Sequence, residues 1–178
     1  MKFNIGCGPR NFGKGWIHID GGDYDHIDSA DIYLNSFKND SAELIYASHF
    51  IEYFDRTEII SILECWKMKL KKNGKLRIAV PDFKVCANLY INGLHSLDDF
   101  LGPFYGKMKM NNKFIYHKTV YDLKSIKKLL RAIGMRNIVE YDWRNTQHSK
   151  FDDHSQAYLP HMDKKNGKLI SLNIECIR

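Results

Sequence analysis

The chain lacks any Cys-x-x-Cys pair. Its four cysteines, Cys7, Cys65, Cys86 and Cys176, are scattered along the sequence, which excludes a zinc knuckle and a thioredoxin-type motif and predicts free thiols in a reducing, cytoplasmic setting. No segment approaches the roughly 18 consecutive apolar residues of a membrane span, so none is expected. Met1 to Gly6 leads straight into a strand and a glycine turn, without the apolar stretch of a secretory signal. There is no internal repeat and no low-complexity tract, which sets aside solenoids and disorder.

What remains is the composition of one ordinary globular domain spanning residues 1–178, with 44% hydrophobic and 13% aromatic residues. A chain of this length buries about 70% of its unfolded surface and needs no disulfide or structural metal. It can stand alone or pair as a homodimer. Charge is unevenly spread under the formal total of +6. Asp20 to Glu58 carries ten acidic residues and two basic ones, whereas Gly106 to Lys150 carries eleven basic and three acidic. A basic face beside an acidic one suits an anionic ligand at one end of a cleft, although solvated lysines on helices produce similar surpluses.

Lys2 to Ile5 reads as a strand ending in Gly6-Cys7-Gly8-Pro9, and Trp16 to Asp20 as a second, alternating strand. Residues 9 to 15 hold two glycines and a proline, so the usual crossover helix is reduced to a turn. A third strand is expected over Ala30 to Leu34 and a fourth, buried on both faces, over Leu44 to Ala47. Apolar periodicity predicts a helix from Asp55 or Thr57 to Leu70, with Asn73-Gly74 as its left-handed cap. Leu76 to Val80 is the fifth strand, and Phe83 to Tyr90 suggests a helix. Asp122 caps another helix that places Ile126, Leu129, Leu130 and Ile133 on one face and stops at Gly134. Ile138 to Tyr141 and Leu169 to Cys176 close the chain as strands. The pattern is α/β, with a mostly parallel sheet whose ligands sit at the carboxyl ends of the strands.

The chemistry-bearing residues gather at those ends. Gly6-x-Gly8 after a strand lets backbone approach a ligand, which alone is weak evidence. Asp20, closing the next strand, adds a carboxylate able to accept both hydroxyls of a ribose held over the turn. A dinucleotide fingerprint would need a third glycine at Asn11 and a helix N-terminus for pyrophosphate. Neither is present, so a ribose ligand without phosphate is preferred.

These features resemble the class I S-adenosylmethionine (SAM)-dependent methyltransferases, in particular small methyltransferases associated with surface-polysaccharide biosynthesis. The resemblance is carried by Asn4 to Pro9, Gly15 to Asp20, Ile45 to Glu52, Leu70 to Asp82, and a tail running from Asp152 to Tyr158, Pro160 to Asp163 and Ser171 to Asn173. It implies a Rossmann-like sheet with an antiparallel C-terminal strand and SAM as cofactor. It implies that Gly6, Cys7 and Gly8 line the methionine part, that Asp20 holds the ribose, that Asp31 with Ile32 meets the adenine edge, and that Ser48 and His49 end the fourth strand below the sulfonium. Asp31 serves equally well as a loop cap. Asn4 stands where many such enzymes place an acid facing the methionine amine, and Glu52-Tyr53 replaces the family's Glu-His.

A hydroxyl acceptor must lose a proton during in-line methyl transfer. His117, His49 and His161 are candidate bases, with His117 in a segment, Tyr116 to Thr119, that reads as a lid. Asp82, after Val80-Pro81, either orients the acceptor, acts as base or caps the following helix. Tyr105, Lys107, Lys109 and Lys118 offer an aromatic platform and positive charge for a sugar carrying phosphate or another small anionic or glycan acceptor. The histidines and aspartates from Asp152 to Asp163 lack a compact ligand spacing, so no metal is expected. The alternatives are a non-catalytic relative that binds the cofactor or a partner, and a nucleic-acid methyltransferase. The second is disfavoured because Val80-Pro81-Asp82-Phe83 is not the Asn/Asp-Pro-Pro-aromatic motif of base amine methylation.

Overall fold

The computed structural model describes residues 1–178. In chain order the elements are β1 (Lys2–Ile5), β2 (Trp16–Ile19), β3 (Ala42–Ser48), α1 (Glu58–Lys69), β4 (Leu70–Pro81), α2 (Phe83–Ile91), α3 (Leu101–Tyr105), β5 (Met108–Met110), β6 (Lys113–Ile115), α4 (Leu123–Ala132), β7 (Arg136–Glu140), β8 (Tyr158–Leu159), β9 (Lys168–Leu169) and β10 (Ser171–Ile177). A six-stranded sheet runs in the order β2-β1-β3-β4-β10-β7. β2, β1, β3 and β4 are mutually parallel, whereas β10 is antiparallel to both β4 and β7. The expected α/β sheet with an antiparallel C-terminal strand is therefore present. No helix joins β1 to β2, as the glycines and proline of that connection require.

Central strands are covered on both faces, which is why β3 reads as an almost unbroken apolar run. Phe3, Ile5, Ile45 and Ala47 from the sheet join Ile59, Ile62, Leu63 and Trp66 from α1 and Ile126 and Leu130 from α4 in one core. Asp55 caps α1, its Oδ1 accepting from the backbone N–H of Thr57 and of Glu58, each at 2.8 Å. Asp122 caps α4 in the same way, through Ser125 N at 2.7 Å. No helix is long and apolar enough to cross a membrane.

Two local expectations are corrected. Residues 30–34 form no strand; only a single bridge, Ile19 to Ser29, marks the place. The cause is Asp31, whose carboxylate accepts from the N–H of Tyr33 at 3.0 Å and of Asn35 at 2.6 Å and so winds the segment into a turn. Asn73-Gly74 does not end α1. The chain turns extended at Leu70, and Asn73, with φ 62°, lies within β4 where the register jumps from Ala42–Leu70 to Leu44–Lys75. A Cβ at Gly74 would approach Lys71 O and Ala42 O to 2.9 and 3.0 Å, so this bulge closes only on glycine.

The tail is fastened to the sheet by a buried carboxylate. Asp153, 3% exposed, accepts from Tyr46 Oη at 2.6 Å and from Ser155 N at 2.8 Å. Asp153→Ala strands a fully buried tyrosine hydroxyl, a loss of about 3 kcal/mol, and should lower the melting temperature by roughly 6–12 °C in a calorimetric scan.

Candidate active site

The carboxyl ends of β1, β2 and β3 open into one cleft of about 1920 Å³. Its floor is the turn after β1. Gly6 has φ 67°, its N–H donates to Ile19 O at 2.8 Å, and a Cβ there would run into the ring of Phe50. Gly8 N–H donates to Asp20 Oδ2 at 2.8 Å, and Gly22 N–H donates to Asp20 Oδ1 at 2.7 Å. Asp20 thus ties the glycine bend to the loop after β2, and each oxygen keeps a lone pair for another donor. Gly6→Ala adds left-handed strain of about 1–2 kcal/mol to the displacement of Phe50. We expect it to weaken nucleoside-ligand binding at least tenfold in calorimetry and to lower the melting temperature by several degrees.

Asn4, Cys7, Ile32 and Ser48 line the same cleft. Asn4 Nδ2 and Ser48 Oγ are buried and lack protein partners, so the floor carries polar atoms that a ligand's polar end can satisfy. The free atom of Asn4 is a donor, suited to a carboxylate more than to an amine. Burial, with the Asp20 carboxylate adding to it, pushes the Cys7 thiol up to about 12, so Cys7 is an inert wall and not a nucleophile.

Asp31 and Asp82 do not line the cleft. Asp31 is committed to the turn described above. Asp82 accepts from Lys84 N at 3.0 Å and Val85 N at 3.2 Å, which makes it the N-cap of α2. Tyr105 is also absent from the lining, 61% exposed, whereas Lys107, Lys109 and Lys118 are present. Lys118 Nζ lies 3.1 Å from Glu58 Oε2, so its charge is already partnered. The hairpin of β5 and β6 spans the cleft from the other side, and its tip reaches the loop after β2, with Asn111 Nδ2 3.4 Å from Gly21 O.

His49 and His117 also form part of the cleft wall. His49, at the exit of β3, sits at φ 49° with its N–H on Ala79 O at 2.8 Å, a left-handed backbone imposed where the strand delivers its side chain. His117 Nδ1 donates to Pro103 O at 3.1 Å. Tyr53 packs edge-on against the His117 ring at 4.5 Å and donates to Gly106 O at 2.8 Å. A Cβ at Gly106 would overlap the His117 ring. Tyr53 and Gly106 therefore seat the His117 ring. Burial lowers both histidines, His49 well below the ordinary imidazole value with His154 and His117 adding to it, so each is neutral near pH 7. His154 and His161 line the cleft too. Glu52, behind the two histidines, was given no role by sequence; its one signal was an acid three positions after a strand-end histidine.

No family model matches the chain, and no curated protein matches it at the sequence level. Solved structures do. A SAM-dependent methyltransferase from Archaeoglobus fulgidus superposes with TM-score 0.59 at 17% identity, over 99% of this chain and 85% of its own. One from Thermotoga maritima, described as a possible histamine N-methyltransferase, gives TM-score 0.60 at 13% identity, over 99% and 81%. The Burkholderia thailandensis 1,6-didemethyltoxoflavin-N1-methyltransferase, solved with bound S-adenosylhomocysteine, gives 0.57 at 10% identity, over 99% and 70%. The chain has the SAM-dependent methyltransferase fold. The six-stranded sheet lacks the strand expected over Ala30 to Leu34, and residues of the β5–β6 hairpin line the cleft.

Proposed function

We propose that this protein is a SAM-dependent methyltransferase acting on an oxygen of a small acceptor such as a saccharide, a nucleotide sugar or another anionic molecule. The observation that carries the reading is the junction of Asp20 with the Gly6–Gly8 bend at the mouth of β1 and β2. SAM supplies an electrophilic methyl on a sulfonium. Gly6 and Gly8 would admit its methionine part, Asp20 would accept from the ribose hydroxyls, Ile32 would give the base an apolar wall, and Asn4 and Ser48 would satisfy the amino-acid end.

Asp31 drops out of the cofactor set because it does not line the cleft, whereas Asp20 does. Asp82 drops out of the catalytic set because it caps α2. Proton removal falls to His49 and His117, which line the cleft and are kept unprotonated by burial. Lys107 and Lys109 on the hairpin would attract the acceptor's anionic portion, leaving its hydroxyl to reach the histidine wall.

Titration with S-adenosylhomocysteine should give saturable, micromolar binding with one ligand per chain. Transfer of a labelled methyl group to a hydroxylated anionic acceptor should accompany it. Absence of binding heat even at millimolar ligand would end this reading.

A further inference from the structure

Glu52 lies in the 3-10 turn Ile51–Tyr53, 1% exposed, and neither carboxylate oxygen has a hydrogen-bond partner. Its Oε1 is 3.8 Å from His49 Nδ1 and 3.7 Å from His117 Nε2. Hydrogen bonds on the far side of each ring assign the ring protons. Asn173 Nδ2 donates to Ser155 O at 2.9 Å, so its Oδ1 accepts from Ser171 Oγ at 3.0 Å. The Ser171 hydroxyl, having spent its proton there, accepts from His49 Nε2 at 3.2 Å. Nδ1 of His49 is left bare. His117 has its proton on Nδ1, toward Pro103 O, so its Nε2 is bare as well.

Three acceptor atoms therefore face one another inside the protein, with no donor among them. The spacing just exceeds hydrogen-bond reach, as catalytic contacts often do before a substrate is bound. A proton on one of the three would give the other two a donor. The other titratable groups facing Glu52 are Tyr53 and Tyr121. Burial first, and the Glu52 charge next, pushes each phenol up to about 12, so both stay protonated.

Burial acts in opposite directions on the two kinds of group. It disfavours a histidinium, since protonating His117 alone would create a buried positive charge. It favours protonation of Glu52, since that removes a buried negative one, and it raises this carboxyl to about 8.

We propose that Glu52 is the final holder of the proton released in methyl transfer, acting behind His117 as a positioning residue, and that the acceptor group is accordingly an un-ionised hydroxyl. The hydroxyl O–H bond breaks as its proton bonds to His117 Nε2, and the oxygen pair forms the bond to the methyl carbon. The methyl–sulfur pair returns to sulfur. Once the ether oxygen has left Nε2, a tilt of the ring turns Nε2–H from the product onto Glu52 Oε1, 3.7 Å away, and the proton passes to the carboxylate, so the trio goes from one negative charge to none. A carboxylate or phosphate oxygen is repelled at this point, which places the acceptor's anionic group away from the reacting hydroxyl.

The catalytic part rests on the methyltransferase reading, whereas the proton on Glu52 does not. Difference infrared spectra of the full chain between about pH 6 and about pH 10 should show a protonated-carboxyl C=O band that vanishes with a midpoint near 8 and is missing in Glu52→Gln. With a hydroxyl acceptor, kcat should rise with pH through the same midpoint, and E52Q should cut kcat about 10²–10⁴-fold and abolish that limb while S-adenosylhomocysteine still binds. A carboxyl band that is absent or titrates in the ordinary range, or an E52Q enzyme that keeps the wild-type limb, overturns the proposal. An infrared band near 8 without any cofactor binding would overturn the methyltransferase reading and leave the buried proton site standing.

Discussion

Asp20→Ala is expected to raise the Kd for the nucleoside cofactor at least about 100-fold, from micromolar to about 0.1 mM or weaker. The magnitude follows from what the carboxylate does. It takes the N–H of Gly8 at 2.8 Å and of Gly22 at 2.7 Å, and in the proposed reading its remaining lone pairs would accept from the ribose hydroxyls. Hydrogen bonds to a charged acceptor are worth about 1.5–3 kcal/mol each, so losing two ribose contacts alone gives the factor stated. The two glycine N–H groups are left without their acceptor as well, so the bend and the loop after β2 lose their common anchor.

Asp20→Asn sharpens the test, because it preserves volume. An amide offers one oxygen, and its NH2 must face either the Gly8 or the Gly22 N–H, donor against donor. We expect Asn to bind S-adenosylhomocysteine nearly as poorly as Ala, with a small decrease in melting temperature. Calorimetric titration of both variants decides the matter: an Asn variant close to wild type would mean that Asp20 acts as a spacer and not as a charged acceptor.

The Asp20 site was legible because its parts are local. Gly6, Gly8 and Asp20 lie within one strand-turn-strand unit, and the parallel pairing of β1 with β2 registers Ile5 against Ile19, which brings the two ends together. The helices α1 and α4 were legible for a similar reason: their apolar stripes and capping aspartates occupy the same short windows. Failures arose where a side chain competed with the backbone ladder. Asp31 captured the N–H groups of Tyr33 and Asn35 and turned the segment expected as a strand over Ala30 to Leu34 into a bend. At Asp82 sequence left capping and catalysis open, and the neighbouring N–H groups of Lys84 and Val85 took the carboxylate. The trio at Glu52 was invisible for a different reason. Its geometry needs His49, Glu52 and His117 from two distant segments, with ring protons fixed by Ser171, Asn173 and Pro103 from others still. No window of sequence contains that set.

Glu52→Gln should stabilise the protein, and the gain should grow with pH. The folded carboxyl is held near 8 by burial, against an ordinary value of 4.5 in the unfolded chain. Between those two values the folded protein keeps a proton that the unfolded chain has released, so wild-type stability falls as pH rises through this window and levels off above it. Below about pH 4.5 both forms are protonated and the carboxyl imposes no such penalty. Gln has no proton to lose, and its NH2 can donate to the bare imidazole nitrogens that face position 52. The difference between variant and wild type should therefore be small near pH 5 and reach at most about 5 kcal/mol above pH 8, because each pH unit separating the folded and unfolded midpoints costs about 1.36 kcal/mol. In a domain of this size that corresponds to roughly 10–20 °C in melting temperature. Denaturant melts of the two proteins across the range measure it directly. A stability difference independent of pH would place the carboxyl's titration in its ordinary range. A difference that widens with pH in this way, in a variant that has also lost turnover, would show that the fold gives up alkaline stability to keep an unpartnered carboxylate beside the histidine wall.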